Sequence, residues 1–139
     1  MIVVDTNVLS EAMRERPEPS VIEWLRQQSE SEAWTTVVTK AEILYGIAIL
    51  PAGRKRTAIE AAADRILNRS FAGRILAFED QAAHHYAQLA AAGRARGRPM
   101  KPHDAQIAAI ARLHNATLAT RNVRDFEDCG IRIVNPWEA

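Results

Sequence analysis

With 139 residues, 47% hydrophobic and 25% charged, the chain has the size and balance of one globular domain, residues 1–139, able to bury roughly 68–70% of the surface its unfolded form exposes. A formal net charge of +1 announces no nucleic-acid partner, and the single cysteine, Cys129, rules out an internal disulfide and favours a reducing compartment. Ile2-Val3-Val4 meets Asp5 too soon for the apolar run of about 7–15 residues of a secretory signal, and no segment nears the roughly 18 apolar residues of a membrane span, so a cytoplasmic domain without a membrane partner is expected.

The elements alternate from end to end. Ile2-Val3-Val4 reads as a short buried strand, followed by a helix carrying Val8, Leu9 and Met13 that Pro17 and Pro19 end. A second helix starts near Pro19 or Ser20, with Val21, Ile22 and Leu25 on one face. Trp34 to Val38 reads as a strand, Lys40 to about Ile49 as a helix ended by Pro51 and Gly53, and Ala58 to Leu67 as another helix. Arg74 to Phe78 is a third strand, and Glu79 to about Ala95 a long alanine-rich helix. Gly93, Gly97 and Pro99 mark a loop, Asp104 to His114 a helix, Thr117 to Thr120 a fourth strand, Val123 to Glu127 a helical turn, and Ile131 to Val134 a fifth strand. Alternating strands and helices, with strands that are almost wholly apolar, predict an α/β domain with a central parallel five-stranded sheet and helices on both faces.

The acids fall at informative places in that pattern. Asp5 follows the first strand, Glu42 lies in the first turn of the helix after the second strand, Asp104 opens the helix before the fourth, and Asn122 and Asp125 follow the fourth. In a parallel sheet the strand C-termini share one edge, and ligands bind in the crevice outside it. Each residue also has a purely structural reading. Thr39-x-x-Glu42 fits a capping box, and Asp5, Asp104, Asn122 and Asp125 fit helix or turn caps. Taken together they point further, because gathered carboxylates raise one another's pKa and a fold that gathers them needs a cation to offset the cost. Capping and metal binding are compatible, since a carboxylate has two oxygens. Oxygen-only ligation favours Mg²⁺ or Mn²⁺, which suits phosphodiester hydrolysis.

The blocks Val3-Val4-Asp5-Thr6-Asn7-Val8-Leu9-Ser10, Thr39 to Gly46 around Glu42, Asp104 opening an alanine-rich helix, Ala119 to Phe126, and Asn135-Pro136-Trp137 resemble, in order and spacing, the PIN domain, and among its members the VapC/FitB-type toxins of bacterial toxin–antitoxin pairs. The resemblance implies a Mg²⁺- or Mn²⁺-dependent endoribonuclease that hydrolyses RNA, dimerises with a second copy and is held inactive by a cognate antitoxin. It places the metal ligands at Asp5 and Asp104, with Glu42 as a further acid that joins them at the metal. The fourth acid of the family falls at Asn122, which supplies no charge and no base, so Asp125 becomes its substitute. Thr6 and Thr120 look like supporting hydroxyls.

Arg121 and Arg124 follow the fourth strand and are candidates to meet phosphate. Two basic clusters, Arg54-Lys55-Arg56 and Arg94, Arg96, Arg98 and Lys101, read as solvated surface unless a site lies beside them. His84 and His85 are adjacent on a helix and do not face each other, which argues against zinc, and His103 reads as a solvated loop residue. Trp24, Trp34 and Trp137 read as core or interface. No organic cofactor is implied. The alternative reading is a catalytically silent PIN-fold module acting through an antitoxin or RNA, which Asn122 keeps open. A haloacid-dehalogenase-type phosphatase needs a second acid two residues after the first, where this chain has Asn7.

Overall fold

The computed structural model describes residues 1–139. Alternation along β1 (Ile2–Val4) drives the layering. Val3 and Val4 are both fully buried, but Val3 packs into one apolar cluster with Leu89, Ile107, Ile110 and Leu118, and Val4 into another with Val8, Leu9, Ile43 and Ile66. A strand sealed on both faces has no place for a polar residue. The other strands are β2 (Ala33–Thr36), β3 (Ile75–Leu76), β4 (Thr117–Ala119) and β5 (Ile133–Val134). All pairings are parallel, in the order β3-β2-β1-β4-β5.

The Val4 side is covered by α1 (Thr6–Ala12), α2 (Pro19–Gln27), α3 (Val37–Ala48) and α4 (Arg54–Asp64), the last continuing into a π-helical turn over Arg65–Ser70. The Val3 side is covered by α5 (Asp80–Ala95) and α6 (Pro102–Leu113), with α7 (Val123–Phe126) beside them. Six consecutive-to-nearby α6 positions, including Ala105, Ala108, Ala109 and Ala111, are fully buried, and their small side chains let α6 sit close to both α5 and the sheet.

Several predicted boundaries move. The second strand ends at Thr36 rather than Val38, because the Thr36 hydroxyl accepts the Thr39 N–H at 3.1 Å and starts the helix there. Helix α3 therefore begins at Val37, not Lys40, and Glu42 lies in its second turn rather than its first. Pro102 occupies the opening of α6, where its missing N–H costs nothing, so Asp104 stands inside the first turn and not at the cap. Helix α4 starts at Arg54, which makes the basic triplet helical. Strands β3 and β5 hold two residues each, since they pair on one side only and soon leave the ladder.

Two features frame the site. The sheet turns in opposite directions from β1, to β2 on one side and β4 on the other, so a crevice opens between the C-termini of β1 and β4. After α5 the chain reverses at Gly97, whose φ of +74° suits glycine. Arg98 then donates its N–H to the Gly93 carbonyl at 2.9 Å, and a Cβ on Gly93 would stand 2.9 Å from the Arg98 carbonyl. This tight return brings Lys101 and Asp104 to the crevice.

Candidate active site

Asp5 leaves β1 in extended conformation and caps α1. Its Oδ1 accepts the Thr6 N–H at 2.8 Å, and its Oδ2 accepts from the Thr120 hydroxyl at 2.7 Å and from the Asn7 amide at 3.0 Å. Asp5 thus both caps α1 and lines the cleft. It is 3% exposed. Burial raises its pKa, the Thr120 and Thr6 hydrogen bonds oppose the rise, and the charge of Glu42 adds to it.

Glu42 does not close a capping box. Its Oε1 accepts from the Thr6 hydroxyl at 2.8 Å, and that hydroxyl lies 3.0 Å from the Thr39 hydroxyl. A hydroxyl has one proton to give; Thr6 gives it to Glu42, so Thr39 donates to Thr6. The remaining Glu42 oxygen, Oε2, lies 3.6 Å from His103 Nδ1. Asp104 makes no side-chain capping bond. Burial and the charges of Asp5, Asp125 and Glu42 push its carboxyl up to about 6, against the opposing charge of Lys101.

Asp5, Glu42, Asp104 and Asn122 line one open cleft of about 750 Å³. Asp125 does not join that lining. It flanks Asp104 from a neighbouring cavity, so Asn122 and its expected substitute Asp125 line different cavities. The reason is local: Asn122 precedes α7 with φ −87° and ψ 58°, outside the helical range, and helical spacing does not extend to it. Arg124 lines the same neighbouring cavity. Arg121 lines neither cavity; its guanidinium lies 4.9 Å from the centre of the Trp137 ring. Thr6 and Thr120 stand behind Glu42 and Asp5 as expected, and Thr120 also accepts the Asn122 N–H at 3.1 Å.

Asn7, Lys101 and His103 line the cleft too, and Thr39 stands behind Thr6; His103, expected as a solvated loop residue, is exposed but lies in the first turn of α6. Asn7 bridges β1 to β4, donating to Asp5 and to the Thr120 hydroxyl at 3.2 Å and accepting the Arg121 N–H at 3.2 Å. Its nearness to Asp5 in the chain was the available signal. At Thr39 the sequence carries only a capping signal.

A divalent cation suits these donors. Burial, and after it repulsion from the neighbouring carboxylates, raises Asp104, and a bound cation would relieve the repulsion. No three acidic, histidine or cysteine side chains close into a ready-made ligand set. Mg²⁺ needs none, because it takes one or two carboxylates and keeps several waters.

Fold and cleft together define a small α/β protein with an acidic cleft at its topological switch point. The chain belongs to the PIN-domain family, whose model matches residues 2–130. It is 38% identical to the plasmid stability protein StbB of Pseudomonas syringae pv. tomato over 139 residues, 100% of both chains. It is 37% identical to the VapC ribonuclease Y4jK of Sinorhizobium fredii, over 99% of each. The crystal structure of FitAcB from Neisseria gonorrhoeae matches at a TM-score of 0.91 and 34% identity, covering 100% of each chain. The VapC/FitB likeness read from the motifs is therefore a likeness of the whole chain. No helix is long and apolar enough to cross a membrane.

Proposed function

We propose that this chain is a metal-dependent endoribonuclease, the toxin of a toxin–antitoxin pair, with Mg²⁺ or Mn²⁺ held by Asp5 and Asp104. The observation that carries the reading is the convergence of Asp5, Glu42 and Asp104, from three distant segments, on one cleft. The relative named as a VapC ribonuclease agrees with it. When bound, the ion supplies polarisation of the phosphoryl oxygen and acidification of a water. The chain's own residues do the positioning. Thr6, Asn7 and Thr120 fix both Asp5 oxygens. Thr6 fixes one oxygen of Glu42 and leaves Oε2 to take the proton of the attacking water. Asn122 offers a carbonyl oxygen, and Asp125 supplies charge from the other side of Asp104.

An antitoxin segment has a suitable path. A groove of about 980 Å³ runs from Ser10 and Glu42 past Met13, Ile43 and Ile59, rimmed by Arg14 and Arg54. A peptide lying in it would end at the carboxylates and could offer them a basic side chain. A homodimer is also expected; light scattering at micromolar concentration, alone and with the antitoxin, checks it, and a monomer in both would refute it. For the activity itself, the purified protein freed of antitoxin should cut RNA with Mg²⁺ or Mn²⁺ and stop with EDTA. Cleavage that persists in EDTA refutes the metal mechanism, and failure to cut any RNA with either ion favours the silent binding module.

A further inference from the structure

A second cavity, of about 190 Å³, lies on the other side of Asp104, between the loop after α5 and α7. Asp104 and Lys101 line both this cavity and the cleft, so the two share a wall. Four cations, Arg96, Arg98, Lys101 and Arg124, outnumber the three carboxylates that also line it, Asp104, Asp125 and Asp128. The basic cluster that looked like ordinary surface in the sequence thus stands beside the carboxylates.

The four cations differ in how they are held. Arg96 pairs with Asp128 at 3.6 Å, and Arg98 pairs with Glu127 at 3.3 Å and Asp128 at 3.6 Å. Arg98 also donates to the Arg124 carbonyl at 3.4 Å, which ties the loop to α7. Lys101 and Arg124 take part in no ion pair of the protein. The cavity has ample room for a phosphate group. No aromatic ring lines it, so a base would find no face to stack on.

We infer that this cavity binds the phosphodiester group next to the scissile one on a single RNA strand, with Arg124 and Lys101 as the contacts and Arg96 and Arg98 as a fixed rim. The inference rests on the nuclease reading and adds to it a direction for the strand, which passes over Asp104 from the cleft towards α7. The contact is to backbone only, so it positions RNA without reading its sequence.

The test uses a short single-stranded oligoribonucleotide. Binding in EDTA, read by fluorescence anisotropy across about 50–200 mM salt, should have a steep salt dependence. Arg124→Ala should weaken binding about 5–10-fold and reduce the slope of log K against log salt by about 0.7. Arg26→Ala, in the last turn of α2 ahead of β2 and so at the opposite sheet edge, should change neither. In cleavage with Mg²⁺, Arg124→Ala should raise KM and keep kcat within about twofold. A neutral methylphosphonate placed at the linkage beside the cut should raise KM for the parent protein and add nothing in Arg124→Ala. Wild-type slope and KM in Arg124→Ala, or no flanking linkage coupled to it, would overturn the subsite while a cutting enzyme keeps the nuclease reading. RNA neither bound nor cut would remove both.

Discussion

Asp104→Asn separates a metal-site carboxylate from a capping one. A carboxyl raised from 3.8 to about 6 disfavours its charged form in the fold, by about 3 kcal/mol at full strength. The side chain is only half-buried, and solvent screening brings that to roughly 1–2 kcal/mol. The sign follows from proton counting. Between about pH 4 and 6 the folded chain holds a proton at Asp104 that the unfolded chain has lost, so stability falls as pH rises through that window. Above it, the charged Asp104 is a fixed burden on the metal-free protein. Asparagine removes it. Thermal unfolding in EDTA at pH 7.5 should therefore show Asp104→Asn melting about 3–8 °C above the parent, with the gap closing towards pH 4. Asp5 has a raised pKa too, so some pH dependence remains in the variant. Added Mg²⁺ should raise the melting temperature of the parent well above its effect on the variant, because a ligand stabilises only the state it binds. RNA cleavage should be lost. A variant that melts at or below the parent in EDTA at pH 7.5 would refute the reasoning and return Asp104 to a structural role.

Asp5→Asn should abolish cleavage and shift the melting temperature by only a few degrees; lost charge burial helps, but an amide donor now meets the Thr120 or Asn7 donors, and outright unfolding would mark Asp5 as chiefly a cap. Thr6→Val should lower kcat about tenfold while metal affinity read by calorimetry changes little, because Glu42 loses the bond that fixes Oε1. Asp125→Ala should reduce kcat strongly with a small change in melting temperature, since no side-chain capping bond is lost at α7; a wild-type kcat would end its catalytic role, and Asn122→Asp in parallel should keep or raise activity. Glu11→Ala should cost about 2 kcal/mol in urea unfolding, because the buried Glu11 accepts the Glu18 N–H at 2.9 Å and pairs with Arg14; an unchanged midpoint would refute that.

The sequence by itself determined the layered plan, because burial on both faces writes itself locally, as Val3 and Val4 in β1 and the alanines of α6. It also pointed to Asp5, Glu42 and Asp104 as acids near one edge of the sheet, where the structure gathers them on one cleft. The family resemblance added the expected chemistry. Contacts across the chain decided the rest. Glu42 looked like a cap because Thr39 stood three residues before it, and only the approach of α1 to α3 shows that Thr6, from 36 residues away, holds it. Asn122 and Asp125 both follow the fourth strand in sequence, but the backbone of Asn122 is not helical and the two line different cavities. Arg121 lies beside the site in sequence, and Trp137 draws it off. Arg98 lies among solvent-facing arginines in sequence, and the return at Gly93 and Gly97 brings it to the carboxylates. Hydrophobic pattern is a local property and survives in the string of letters. Which polar groups meet depends on how distant segments dock, and that exists only once the sheet has formed.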